Sequence, residues 1–232
     1  PKQMQGILDN RERIQYFASR AFAVKHVFFI GRGIDHALAM EAALKLKEIS
    51  YIHSEAYAAG ELKHGTIALI EEGSLVVALA TQKKLLPKMA GNMEEVRVRG
   101  AHVLALTCGD ASAVAANSNE QWELPETDET LAPFLAIVPM QLLAYYMAVQ
   151  KGCSVDRPRK ALPWNDRRRG GQRHGARPMA GRRAFCGRRA MGGNPRRIGE
   201  KGPAARRPAI WEASQPAGRG RRWPGRRSDA FE

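Results

Sequence analysis

Residues 26–48 read HVFFIGRGIDHALAMEAALKLKE, and this stretch decides the fold. Residues 26–30 are a short apolar run rich in β-forming residues, and the Gly-Arg-Gly sequence at residues 31–33 is a turn signal. Asp35 stands where the N-cap of a following helix would stand, and a helix is predicted over residues 36–48. The stretch therefore predicts a strand, a glycine loop and a helix in that order.

The same alternation recurs along most of the chain. Further strands are predicted at residues 74–80, 102–107 and 121–124, and helices at residues 5–23, 84–99 and 129–151, the last kinked or broken at Pro139. Continuous apolar strands that alternate with helices favour a parallel sheet covered on both faces. The predicted fold class is α/β, a three-layer α-β-α arrangement in which ligands bind at the carboxyl ends of the strands.

The positive charge is concentrated in the last third of the chain. Residues 160–232 hold 20 of the 37 Lys and Arg but 5 of the 23 Asp and Glu, a net of +15, whereas residues 1–159 carry a net of −1. The near-neutral body gives no electrostatic reason to expect a nucleic-acid or membrane partner. The tail is rich in Arg, Gly and Pro and lacks helical or strand periodicity, so we expect it to be disordered.

The cysteines, Cys108, Cys153 and Cys186, have no CxxC spacing, so neither a zinc site nor a disulfide framework is indicated. No apolar run approaches the roughly 20 residues of a membrane span, and no signal peptide opens the chain. We therefore expect a cytoplasmic location and no metal or cofactor. The chain begins with Pro1, which we interpret as a start inside a longer protein, with residues 1–24 as a linker helix from an upstream domain.

Glu41, Lys45 and Glu48 are spaced four and three residues apart on the predicted helix, which places them on one face. This pattern has two interpretations. It is either a solvated ion-pair face, or a carboxylate held near a lysine at the mouth of an α/β sheet. In the second case the carboxylate could move a proton between adjacent carbons of a sugar.

Two loops offer further candidates for a site. His64 lies in a polar break, where it is either a plain surface residue or an acid–base group that titrates near neutral pH. The amides of the loop Gly31-Arg32-Gly33 could bind an anion, and the alternative is a simple tight turn. This loop does not match the dinucleotide-binding or P-loop fingerprints.

Residues 42–65, AALKLKEISYIHSEAYAAGELKHG, resemble the signature of the glucosamine-6-phosphate synthase family, the glutamine–fructose-6-phosphate aminotransferases. Residues 139–146 and 156–159 are similar to the C-terminal end of that family, so the resemblance covers roughly residues 5–159. It implies a sugar-isomerase (SIS) fold over residues 25–159, equivalent to the enzyme's second SIS subdomain. The reaction that the resemblance implies converts fructose 6-phosphate and glutamine-derived ammonia into glucosamine 6-phosphate.

The resemblance also implies roles for the candidate residues. Glu48 would be the base that carries the proton between C1 and C2 of the sugar, and Lys45 would assist beside it. His64 would help to open the sugar ring in the active site of a neighbouring subunit, which implies a homodimer. Thr66 stands where the family usually has proline, a minor departure.

Three parts of the family's enzyme do not appear in the chain: the glutaminase domain, the first SIS subdomain and the C-terminal lysine that forms an imine with the sugar. We therefore expect the chain to be inactive, or nearly so, by itself. The alternative is a non-catalytic SIS module that binds a phosphosugar, and such a module would have no need of Glu48 and His64.

The tail at residues 160–232 has an interpretation of its own. The codons of residues 163–166, Pro-Trp-Asn-Asp, can be read in a shifted frame as Val-Glu-stop, which resembles the family's own ending. The excess of Arg over Lys in the tail fits GC-rich DNA read out of frame. A genuine basic tail that binds nucleic acid is the alternative.

Overall fold

The computed structural model describes residues 1–109 and 112–156, so the predicted disorder and frameshift of residues 160–232 lie outside the described residues. The elements in chain order are α1 (Lys2–Asp9), α2 (Glu12–Ala21), β1 (His26–Gly31), α3 (Ile34–Ser50), β2 (His53–Ala58), β3 (Leu75–Ala80), α4 (Leu86–Val98), β4 (His102–Cys108), α5 (Ser112–Ala115), β5 (Glu120–Leu124) and α6 (Ala132–Gln150). Short 3₁₀ helices at Ala59–His64, Thr66–Leu69 and Lys83–Leu85 lie in the connections.

The strands form one parallel sheet in the order β2-β1-β3-β4-β5. β1 pairs with β2 on one side, where His26 lies opposite His53, and with β3 on the other, where Val27 lies opposite Leu75. Because the chain leaves β1 toward one side and then crosses to the other, the boundary between β1 and β3 is a topological switch point. Ligands of open α/β sheets bind outside the carboxyl ends of the strands at such points.

Alternate side chains of the central strands face opposite layers of helices. In β1, Phe29 belongs to an apolar cluster shared with α1, α2, α3 and α6, whereas Phe28 belongs to a cluster shared with α4 and α5. β3 divides in the same way, with Val77 in the first cluster and Val76 in the second. The strands are buried on both faces, as continuous apolar runs require, and the predicted three-layer parallel fold is confirmed.

Two helix predictions differ from the structure. The predicted helix over residues 5–23 is two helices, α1 and α2, with a break after α1. At the break the Asn10 side chain donates a hydrogen bond to the Gly6 carbonyl (2.8 Å), which satisfies a carbonyl in the last turn of α1. α6 is one continuous helix through Pro139, so the expected break at this residue is wrong, and a kink there stays a prediction. Pro139 is buried, and packing along this helix outweighs the one backbone hydrogen bond that the proline removes.

β2 was not predicted as a strand. Its sequence, HSEAYA, is mostly polar or small, and most of its residues stay partly exposed. β2 is an outermost strand of the sheet, so it needs no continuous apolar run to be stable there.

α6 also corrects the expectation that no apolar stretch approaches the length of a membrane span. By length and composition its 19 residues are apolar enough to cross a membrane. About half of this helix is buried inside the protein, and Leu143 and Met147 belong to the same apolar cluster as Leu46 of α3. The apolar character of α6 is therefore accounted for by the core that it covers.

Candidate functional site

Two loops meet where β1 and β3 end. Gln82 Nε2 donates to the Arg32 carbonyl (2.9 Å), and the Thr81 amide and hydroxyl donate to the two carboxylate oxygens of Asp35 (2.8 and 2.6 Å). These bonds join the loop after β1 and the first turn of α3 to the loop after β3 across the switch point. The prediction that Asp35 is the N-cap of α3 is wrong. Gly33 is the N-cap residue, and the Asp35 carboxylate accepts hydrogen bonds from Thr81 instead.

Asp35 lies inside the protein, with 2% of its surface exposed. Burial raises the pKa of its carboxyl group, and the hydrogen bonds from Thr81 act in the opposite direction. Because both oxygens accept hydrogen bonds in the interior, we assign Asp35 the task of positioning the two loops.

Close packing requires glycine at residue 31. A Cβ atom at this position would lie 2.5 Å from both the carbonyl carbon and the carbonyl oxygen of Asp35. Gly33 adopts a φ of +58°, in the left-handed region that favours glycine. The Gly-Arg-Gly sequence therefore lets the first turn of α3 start directly against the end of β1.

Arg32 is fixed by neighbours from two other elements. Its Nε donates to Asn92 Oδ1 on α4 (3.0 Å), and its guanidinium lies beside Gly60, where an added Cβ would be 3.1 Å from Nη2. The ion pairs found within residues 1–109 and 112–156 do not involve Arg32. Arg32 therefore holds a half-buried positive charge beside the loops, where an anion could pair with it.

The acidic and basic groups predicted on one face of α3 lie together in the structure. Lys45 Nζ is 3.5 Å from Glu41 Oε1 and 3.5 Å from Glu48 Oε2. The charge of Glu41, and after it that of Glu48, raises the pKa of Lys45. The Glu48 side chain is 36% exposed, so its carboxylate is open to a molecule that approaches this face.

Glu48 and His64 lie at opposite ends of the parallel strands. Glu48 lies where the strands begin, the amino edge of the sheet, and His64 lies where they end, the carboxyl edge. α3 starts at the carboxyl end of β1 and runs back, so Glu48 near its end lies by the amino end of β2, whereas His64 follows the carboxyl end of β2. The length of β2 separates these edges, about 20 Å for six residues at about 3.3 Å each. The His64 side chain is 74% exposed, with Glu61 Oε2 3.8 Å from its Nε2. One copy of the chain therefore does not bring Glu48 and His64 together.

A shallow groove of about 450 Å³ lies between α3 and the edge strand β2. Lys47, Glu55 and Tyr57 are among its lining residues, and the predicted site residues are not. Burial, and then the hydrogen bond that the Tyr57 hydroxyl donates to Glu55, raise the pKa of Tyr57 to about 12.

Three polar residues at the loops were missed at the level of sequence: Thr81, Gln82 and Asn92. Thr81 and Gln82 directly follow an apolar strand, the place where parallel sheets carry ligand-binding polar groups, so a signal for them was present. Asn92 gave no such signal, because it lies within α4 and is 60 residues from Arg32 in the sequence.

Comparison with known proteins identifies relatives over most of the described part. The SIS domain family matches residues 22–151. The chain is 57% identical over 159 residues to a protein of Caldanaerobacter subterraneus subsp. tengcongensis named glutamine–fructose-6-phosphate aminotransferase [isomerizing], with 68% of this chain and 26% of that protein covered. It is 51% identical over 159 residues to the protein of the same name from Clostridium acetobutylicum, with the same shares covered.

A solved structure is similar as well, the C-terminal domain of glucosamine-fructose-6-phosphate aminotransferase from Francisella tularensis. The TM-score is 0.62 at 37% identity, and the match covers 68% of this chain and 45% of that one. The chain thus spans about a quarter of the length of the curated relatives that it matches. The resemblance inferred from residues 42–65 is confirmed, and the chain belongs to the SIS domain family, as the SIS domain found in glutamine–fructose-6-phosphate aminotransferases.

Proposed function

We propose that this chain is the sugar-isomerising part of a cytoplasmic glutamine–fructose-6-phosphate aminotransferase, and that it is inactive or nearly so without the enzyme's other parts. The observation that carries the proposal is the Lys45–Glu48 pair, 3.5 Å apart on an open face of α3, in a chain 57% identical to a protein that bears this name. The substrates would be fructose 6-phosphate and ammonia, whose nitrogen replaces the C2 oxygen, and the products glucosamine 6-phosphate and water.

Glu48 is the base in this proposal. An exposed carboxylate can take a proton from C1 of the open-chain sugar and return it at C2, or the reverse, without leaving its place on the helix. Removal of that proton leaves negative charge on the sugar oxygens. A fixed positive group beside the carboxylate lowers the energy of this charged intermediate.

Lys45 is the positive group. Because Glu41 and Glu48 raise its pKa, Lys45 stays protonated at neutral pH and holds its charge beside the sugar. A protonated amine is a poor nucleophile, so Lys45 is suited to stabilise charge and unsuited to form an imine.

His64 acts in a different copy of the chain. Since Glu48 and His64 lie at opposite edges of one sheet, a site that uses both groups requires the amino edge of one copy to meet the carboxyl edge of another. The exposed imidazole of His64 can then protonate the ring oxygen of the sugar as the ring opens. This arrangement makes a homodimer part of the proposal.

A second function is favoured by the loops at the carboxyl ends of β1 and β3. The Arg32 side chain donates a hydrogen bond to Asn92 and packs against Gly60. Its positive charge and the amides of residues 31–33 could bind an anion together. A phosphosugar held there, without chemistry, would make the chain a binding module. Glu48 discriminates between the two functions, because a binding module does not depend on a base.

The test adds the part of the enzyme that has no counterpart in this chain. The unmatched portion of the Francisella domain is added as a separate chain, and conversion of fructose 6-phosphate is measured in the presence of ammonia. We expect a rate that requires both chains and that falls about 10²- to 10⁴-fold in Glu48→Gln, the range for loss of a general base. Glu94→Gln, an exposed glutamate of α4, is the matched control and should keep the rate. A restored rate that Glu48→Gln leaves unchanged would contradict the catalytic assignment.

A further inference from the structure

Two histidines stand side by side at the amino edge of the sheet. His26 opens β1, His53 opens β2, and the two residues are directly paired in the parallel register. Their Nδ1 atoms are 3.3 Å apart, and the rings meet edge to face with centroids 5.3 Å apart. Neither histidine has a part in the proposed function.

A carboxylate lies beside the outer ring nitrogen of His53. Glu55 Oε1 lies 3.4 Å from His53 Nε2, and Glu55 is itself held by a hydrogen bond from the Tyr57 hydroxyl. A carboxylate beside Nε2 favours the proton on that nitrogen, which leaves the lone pair of the His53 Nδ1 facing His26. A histidine that binds a metal ion through one ring nitrogen commonly donates the N–H of its other nitrogen to a carboxylate.

We propose that His26 and His53 bind a divalent transition-metal ion, with Zn²⁺ as the representative, through their two Nδ1 atoms. Two nitrogen ligands at about 2.0–2.1 Å from a tetrahedral Zn²⁺ lie about 3.3–3.4 Å from each other. The Nδ1 atoms have this separation already. The proton that His26 Nδ1 shares with His53 moves to Nε2 of His26 when the ion binds, so that both Nδ1 lone pairs face the metal.

The pair is accessible and incomplete as a metal site. Both residues are exposed, with 59% of the His53 side chain open to solvent. Within residues 1–109 and 112–156, no group of three His, Cys, Asp or Glu side chains is placed to hold a metal, so water or a small added ligand completes the coordination. Two imidazoles select Zn²⁺, Cu²⁺ and Ni²⁺ over Mg²⁺ and Ca²⁺, which require oxygen ligands.

The experiment titrates Zn²⁺ into the full chain by calorimetry and compares four variants. We expect His26→Gln and His53→Gln each to weaken the Zn²⁺ affinity of this site at least about tenfold, and Glu55→Gln to weaken it about 10- to 100-fold through the lost outer partner. His36→Gln, which changes a partly exposed histidine of α3, should bind as the unchanged chain does. Mg²⁺ should give no binding heat at the pair.

Nuclear magnetic resonance of the unchanged chain gives a second measurement that does not depend on how the variants fold. Zn²⁺ should shift the Nδ1 resonances of His26 and His53 together, at one equivalent. Binding of equal strength in both histidine variants, or Zn²⁺ shifts confined to other histidines, would place any metal site elsewhere and overturn the proposal. Because neither measurement uses a sugar substrate, the outcome is independent of the proposed function.

Discussion

His102 lies at the start of β4 with 8% of its surface exposed, beside the ring of Phe17. Burial, and after it the charge of Arg20, lower the pKa of its imidazole to about 4. An unfolded chain binds this proton near pH 6.5, whereas the folded chain does so only near pH 4. The contribution of His102 to stability is therefore complete above pH 6.5 and is lost as the pH falls toward 4.

We expect the free energy of unfolding to drop between pH 6.5 and pH 4, with His102 accounting for up to about 3 kcal/mol of the drop. The measurement is urea unfolding of the chain and of His102→Gln at pH 7.5 and at pH 4.5. Glutamine takes up no proton, so the variant should lose less stability than the unchanged chain between these two pH values. Equal losses would show that His102 does not remain neutral in the folded protein.

Some contacts of single residues follow from sequence spacing and others do not. Glu41, Lys45 and Glu48 were predicted to share a face, because residues three and four apart on a helix are neighbours whatever the fold. The bonds from Thr81 to Asp35 span 46 residues and exist only because β3 lies next to β1. The spacing of residues within one strand or helix does not predict which strands pair in the sheet.

At the scale of elements, the bonds between Asp35 and Thr81 join the start of α3 to the end of β3. We expect Thr81→Val to lower the free energy of unfolding by about 1–3 kcal/mol, because the substitution leaves a buried carboxylate without its hydroxyl donor. Thr66→Val is the matched control, since the Thr66 hydroxyl makes a 3.4 Å contact in a partly buried 3₁₀ helix, and it should change stability by less than about 0.5 kcal/mol.

A double-mutant cycle tests the junction directly. Asp35→Asn, Thr81→Val and the double variant are unfolded in urea, and the coupling energy between the two substitutions is calculated. We expect a coupling of about 1 kcal/mol or more, because the two side chains are in contact. Additive effects would mean that α3 and β3 are not joined through this pair.

The strong elements were predictable and the weak ones were not. β1, β3 and β4 are continuous apolar runs because both of their faces are buried, and such runs stand out in a sequence. β2 escaped prediction because an edge strand can be polar, and the break between α1 and α2 falls beside an asparagine whose side chain bonds back to the Gly6 carbonyl. The helical character of α6 was predicted correctly, but its continuity through Pro139 depends on packing that no local pattern reveals.

For the whole molecule, the parallel topology decides where the proposed catalytic groups, Glu48 and His64, can act. Each helix returns the chain to the amino edge, so the end of α3 and the loop after β2 necessarily lie at opposite edges. The pattern of residues 42–65 identified the family, and that resemblance implied a His64 from a neighbouring subunit. Strand β2, which separates Glu48 from His64 within one copy, was not predicted. Two copies of the chain must therefore share a site if both groups act on one sugar.

The central claim is tested most directly by mixing two inactive variants. Glu48→Gln and His64→Gln are each assayed alone and after mixing, with the unmatched portion of the Francisella domain present. We expect each variant alone to be nearly inactive and the mixture to recover about a quarter of the unchanged rate, because about half of the dimers are mixed and each mixed dimer holds one intact site. A mixture no more active than its components, from chains shown to exchange partners, would contradict a site shared between two copies.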